Sequence, residues 1–355
     1  MKGSAHIFLG ANSGEGFYSL YDQLLGERFD DLLILKGGAG CGKSSFMRMV
    51  AEEASRRKID TIYVNCSGDP ESLDGVLFPA LKKGIVDGTA PHVLEPCYTG
   101  ANERYVNLMR FYDLAAVKNA RGELVCRADA CHTAYAEAYH VLRAVAALSL
   151  ERRARVYAAV DFEKLSRRFD GILRRELRGA GARRGRVDFA FLGGVTHMGE
   201  LCRFDTVEAL CPRVYKLSDS WGLASAQLER VCAAAAEAGC GVLACRDPDR
   251  PRELRHVLIP ERGLAFVTSD ARVPYPGEAY RRLRLDAMAD AALTHRERAE
   301  LRLSGRLERA LRAEAVEALR RAKQEHDALE KAYHPYVDFD GVSAFAREEA
   351  ASILN

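Results

Sequence analysis

The chain has 355 residues, long for one core and suited to two domains of about 100–200 residues each. Hydrophobic residues make up 48% and charged residues 29%, a balance that excludes wholesale disorder. Lys and Arg number 52 against 50 Asp and Glu, so the formal charge is +2 and the basic excess of a dedicated nucleic-acid binder is missing.

At the N-terminus, Met1-Lys2-Gly3-Ser4 leads into a short apolar run at Ile7–Leu9. That run is no signal-peptide core, and no stretch reaches the ~18 consecutive apolar residues of a membrane span. The expected compartment is the cytoplasm, away from membranes. The ten cysteines contain no CxxC, and Cys126/Cys131 and Cys240/Cys245 are each five apart. Reduced, mostly buried thiols are expected rather than a metal or disulfide framework.

Asp31-Leu32-Leu33-Ile34-Leu35-Lys36 reads as a buried parallel strand. Gly37-Gly38-Ala39-Gly40-Cys41-Gly42-Lys43-Ser44-Ser45 follows, a GxxxxGK[ST] string with Gly37 and Gly42 in its fixed places. Phe46, Met47, Met49, Val50 and Ala54 then recur at helical spacing through Arg57. Strand, glycine loop and helix form the context this motif requires. Glycines let the backbone curl around an anion without Cβ clashes, and the loop N–H groups with the helix N-terminus make a nest for phosphate. Lys43 is expected to reach the β- and γ-phosphates of a nucleotide and the Ser44 hydroxyl to ligand Mg²⁺. Cys41 is either a small side chain tolerated at a variable place or a thiol made oxidisable by Lys43 and the helix N-terminus.

Thr61-Ile62-Tyr63-Val64-Asn65-Cys66 reads as the next strand. In the stretch after it, Asp69 and Asp74 could place an attacking water or an acceptor, or serve as an Asx turn and a helix cap. Lys83-Gly84-Ile85-Val86-Asp87-Gly88 reads as a further strand, with Asp87 emerging at the carboxyl edge beside the loop. There it would hold Mg²⁺ through water, against the plainer reading of an Asp-Gly turn. His92 is either a group approaching the γ-phosphate or a solvated loop histidine.

Cys131, Ala134, Tyr135, Ala138, Tyr139, Leu142, Val145 and Leu148 make a helical stripe, as do Leu319, Ala322, His326, Leu329 and Tyr333 later. Two helical hairpin arms are predicted. Between them, residues 177–186 read as a flexible basic linker.

The second half echoes the first. His6–Ala11 matches Phe189–Gly194, Leu35-Lys36 matches Tyr215-Lys216, Cys66–Pro70 matches Cys245–Pro248, Gly75–Pro79 matches His256–Pro260, and Val160–Phe162 matches Val337–Phe339. The offset stays near 180, which points to a duplication. Opposite Gly37–Ser44 stands Leu217–Ala224, with Leu223 for the lysine, Ala224 for the hydroxyl, and Asp219 and Trp221 in the phosphate space. Thr268 stands for Asp87. The second half is expected to keep its sheet and bind no triphosphate.

Gly16–Asp22, Leu35–Ser45, Ser72–Val76 and Val86–His92 together resemble a bacterial family of tandem P-loop ATPase-like proteins, and the resemblance covers nearly the whole chain. It implies ATP binding and hydrolysis, with Lys43, Ser44 and Asp87 placed as above. That family commonly carries a second intact phosphate loop, from which this chain departs at Leu217–Ala224.

The expected architecture is α/β: two tandem P-loop NTPase-like domains, residues 1–180 and 181–355, each a parallel sheet with flanking helices and an arm, the second degenerate. The expected ligands are ATP, on Gly37, Gly38, Ala39, Gly40, Cys41, Gly42, Lys43, Ser44 and Ser45, and Mg²⁺, on Ser44 and Asp87. Hydrolysis would use Lys43 and Asp87, with Asp74 or Asp69 placing the water. A small-molecule or nucleotide kinase and a non-enzymatic nucleotide switch are the alternatives. A protein or small molecule is the expected further partner, rather than nucleic acid.

Overall fold

The structure, a computed structural model, describes residues 4–179 and 181–355. Met1–Gly3, in the N-terminal lead, and Ala180, in the basic linker, lie outside the described residues.

The first half runs β1 (Ala5–Ile7), β2 (Gly10–Ser13), β3 (Gly16–Ser19), β4 (Asp31–Lys36), α1 (Lys43–Arg56), β5 (Ile62–Asn65), β6 (Leu73–Phe78), β7 (Lys83–Asp87), β8 (Glu103–Asn107), α2 (Leu114–Asn119), α3 (Arg121–Ala159) and α4 (Phe162–Glu176). The second runs β9 (Val187–Ala190), β10 (Gly193–Thr196), β11 (Gly199–Cys202), α5 (Phe204–Leu210), β12 (Arg213–Ser218), α6 (Ser225–Glu237), β13 (Val242–Asp247), β14 (Arg250–Ile259), β15 (Leu264–Ser269), β16 (Arg281–Arg284), α7 (Asp286–Ala292), α8 (His295–Tyr333) and α9 (Phe339–Ile353).

Two six-stranded sheets result, in the orders β1-β5-β6-β7-β4-β8 and β9-β13-β14-β15-β12-β16. They are the same sheet twice. Each is mixed, where parallel sheets were expected: β6 is antiparallel to β5 and β7, and β14 to β13 and β15. The reason is connection length. Residues 79–82 and 260–263 are four-residue turns, far short of the dozen or so that a parallel crossover needs. Both turns close on a left-handed residue, Lys82 at φ 50° and Gly263 at φ 55°.

The halves correspond in register as well as order. Leu35 faces Asp87 in one sheet and Leu217 faces Thr268 in the other. Phe8 and Phe191, matched in sequence, exchange backbone N–H···O bonds of 2.8 Å each, as expected where a pseudo-two-fold axis relates two copies. The inner faces of both sheets share one core, with Leu32, Ile34 and Val86 from one side and Val214, Ala265 and Val267 from the other. Strand alternation sends Leu33 and Leu35 to the opposite face, under α1.

The arms depart from the expected hairpins. α3 and α8, 39 residues each, are partners of one another. They pack through Ala138, Leu142, Ala315, Ala318 and Leu319, and ion pairs Arg155–Glu300 (2.5 Å) and Arg152–Glu308 set the antiparallel register. The short helices then cross over. α4, capped by Asp161, lays Leu165, Phe169 and Ile172 on the second sheet and α6; α9, capped by Asp338, lays Val342, Ala346 and Ala350 on α1 and the first sheet. Amphipathic helices go where an open sheet face awaits them, and each long helix delivers its successor to the far sheet. The linker is also tied down: Gly185 donates to Ala236 O at 2.7 Å, and a Cβ there would collide with the Cys240 backbone.

No helix among the described residues is long and apolar enough to cross a membrane.

Candidate functional site: a glycine loop closed by a buried Lys–Asp–Asp–His cluster

β4 is buried along its middle four residues and ends at the loop. Gly40 (φ 68°) and Gly42 (φ 87°, the N-cap of α1) take left-handed backbone that other residues adopt at a cost. α1 therefore starts with Lys43 folded back inside the loop. Its Nζ donates to Gly38 O (2.9 Å) and Gly37 O (3.2 Å) and lies 3.6 Å from Asp87 Oδ2. Burial works against the ammonium, but Asp87, then Cys41 and Asp74, outweigh it and hold its pKa above the ordinary lysine value. Ser44 Oγ accepts from Leu73 N at 3.0 Å, and Ser45 is exposed.

Asp87 ends β7, as its sequence position foretells. Its Oδ1 accepts from Thr89 N (2.9 Å) and Thr89 Oγ1 (2.6 Å), leaving Oδ2 for Lys43. The antiparallel pairing of β6 on β7, with Gly75 opposite Val86, brings Asp74 beside Asp87. Asp74 Oδ2 accepts from Tyr21 OH (3.1 Å) and lies 3.4 Å from His92 Nε2. His92 is 6% exposed and stacks on Tyr21 at 4.5 Å. Burial pulls its pKa down, but the hydrogen bond and charge of Asp74, then Asp87, more than compensate and leave it above 6.5. Burial, then the Asp74 charge, drives the Tyr21 hydroxyl pKa far up, so Tyr21 stays a donor.

The expected site residues thus come together with one exception. Asp69 is pulled away: it accepts from Ser72 Oγ (2.9 Å), turns the chain through Glu71 N, and pairs with Lys323 of α8 at 3.4 Å. Its place is an Asx turn docked on the arm. Cys41 corrects the oxidisable-thiol reading. It is 1% exposed in the core beneath the loop, and burial, outweighing Lys43, raises its pKa. Two neighbours escaped sequence reasoning. Tyr21 lies in the Gly16–Asp22 string, but nothing in that string marked it as a partner of Asp74. The last turn of α8 comes from the other half: a Cβ on Gly40 would stand 2.8 Å from Glu330 O.

The second loop is filled by its own chain. Gly222 (φ 70°) is the counterpart of Gly40, and helix α6 starts at Ser225 as α1 starts at Lys43. The sheet register agrees, so Ser225 and Ala226 replace Lys43 and Ser44; the sequence match at Leu223 and Ala224 was two residues out of step. Asp219, 3% exposed, accepts from Ala224 N (2.8 Å), Leu223 N (2.9 Å) and Trp221 N (3.3 Å). A carboxylate of the chain itself occupies the ring of N–H groups in this loop. Burial nevertheless raises its pKa against those three bonds.

No family model, curated protein or solved structure matches this chain.

Proposed function

We propose that this chain binds ATP at one site, on Gly37–Ser45, and hydrolyses it with Mg²⁺. One observation carries the reading: a largely buried lysine, its side chain 13% exposed, on a left-handed glycine loop meets a strand-end carboxylate at 3.6 Å. The donor set fits the ion, since the Ser44 hydroxyl and the Asp87 carboxylate are the hard oxygen ligands that Mg²⁺ takes. Mg²⁺ held there would offset the charge of the β- and γ-phosphates. Lys43 would exchange the Gly37 and Gly38 carbonyls for phosphate oxygens, and the loop N–H groups would hold the rest. Asp74, oriented by Tyr21, is the group best placed to order a water; Asp69 is not. The second loop, with Asp219 seated in its nest and no lysine, takes no triphosphate.

A second reading has its own support. Glu330, Phe339 and Val342, from the far half, stand against Gly40 and Gly42. A ligand entering the loop would press on α8 and α9, as a nucleotide switch requires. Equilibrium binding of a fluorescent ATP analogue, together with phosphate release, tests both. Saturable binding with turnover, both lost in Lys43→Ala, supports the ATPase; tight binding without turnover supports the switch; no binding by the wild type refutes both.

A further inference from the structure

We propose that Asp74, Asp87 and His92 form a divalent-cation centre with a nitrogen ligand, which selects a borderline ion of the Mn²⁺ class over Mg²⁺. The proposal deepens the nucleotide reading, on which it rests only for the role of the ion; the ion-binding claim stands without nucleotide.

The three side chains each offer a ligand atom, all within 4.8 Å of one another, and all three are buried. One cation can bridge groups at that spacing after small side-chain movements. The surroundings are already arranged. Thr89 fixes Asp87 through Oδ1 and leaves Oδ2 turned toward Lys43. Tyr21 fixes Asp74. Such outer hydrogen bonds orient metal-binding carboxylates. A second observation is independent of the carboxylates: His92 Nδ1 is buried with no hydrogen-bond partner, although the other ring nitrogen faces Asp74. A buried imidazole nitrogen left unmatched is costly, and a ligand would repay it.

The chemistry of the set decides the ion. Carboxylate oxygens alone accept Mg²⁺, whereas imidazole suits the transition ions, which bind nitrogen more strongly. Lys43 competes with the cation for Asp87 Oδ2 while the loop is free of nucleotide. When phosphate draws Lys43 away, that oxygen is released to the metal.

The test uses the full chain, stripped with EDTA and free of nucleotide. Mn²⁺ is titrated and followed by its electron paramagnetic resonance signal, with Mg²⁺ as competitor, for the wild type, His92→Gln and Lys43→Met. The wild type should bind one Mn²⁺ per chain, and His92→Gln should lower the Mn²⁺-over-Mg²⁺ preference by about ten- to a hundredfold. Lys43→Met should keep Mn²⁺ while losing ATP. Should His92→Gln fail to fold, the wild type still decides: nitrogen modulation in the pulsed spectrum of bound Mn²⁺ is expected, and its absence overturns the proposal. An unchanged preference in a folded His92→Gln overturns it as well. Mn²⁺ bound through nitrogen with no ATP binding would sink the nucleotide reading and leave the metal centre standing; ATP binding without nitrogen-bound Mn²⁺ would do the reverse.

Discussion

Lys43→Met retains most of the aliphatic stem and deletes one charge. That charge lies 3.6 Å from Asp87 Oδ2, with the two side chains 13% and 10% exposed. At that distance the Coulomb attraction is about 4.6 kcal/mol for an effective dielectric constant of ~20. Desolvation of both ions offsets part of it, but removing one partner leaves the other buried and unpaired, which costs about 3–5 kcal/mol. Asp87 keeps its two bonds from Thr89, so the low end applies, about 3 kcal/mol. With ~2.1 cal/mol/K of unfolding entropy per residue, the melting midpoint of the whole chain should fall by roughly 4 °C. Because the folded-state pKa of Lys43 is raised, this stabilisation is complete below the unfolded value of 10.5 and fades as pH climbs through the folded one; neutral pH lies inside the window. Mg²⁺-ATP at a hundred times its dissociation constant adds about 2.7 kcal/mol to a protein that binds it. Differential scanning calorimetry should therefore show the wild type rising by roughly 4 °C with nucleotide, and the variant starting lower and not responding. A wild type indifferent to nucleotide, or a variant that responds equally, refutes the reasoning.

Three other expectations concern the frame around the loop. Residues 1–180 alone should not form a cooperatively folded monomer, because Leu165, Phe169 and Ile172 lose the second sheet, at about 1.5–3 kcal/mol each, and α1 loses α9. Co-expression with 181–355 should rescue it; a monomeric 1–180 with a sharp calorimetric transition would contradict the crossed arms. Gly40→Ala should cost about 2–3 kcal/mol, from a left-handed φ and a Cβ 2.8 Å from Glu330 O, whereas Gly122→Ala, with open space in α3, should be neutral or stabilising; urea unfolding distinguishes the two. In EDTA, His92 should contribute more stability at low pH than at high. Its raised pKa means the contribution is complete below 6.5 and disappears as pH rises through the folded value, so the gap between wild type and His92→Gln in urea should narrow as pH rises above 6.5. A gap independent of pH would show that His92 does not gain its charge from Asp74 and Asp87.

The glycine loop, Lys43 and Asp87 were legible in the amino-acid string because each depends on a local unit: a buried strand, a turn needing left-handed backbone, and the start of a helix. The duplication was legible too, since repeated local units leave repeated strings. Partnerships across the fold were not. Whether Asp69 or Asp74 joins the site depends on the antiparallel register of β6, which sets Asp74 beside Asp87, and on Lys323 of α8, which draws Asp69 off. Tyr21 and His92 belong to the cluster only because β6 brings Asp74 within reach of both. The amphipathic stripes foretold helices but not their partners: an apolar face states that it must be covered, and only packing decides by what. Here α4 and α9 each cover the far sheet, so the last turn of α8 meets Gly40.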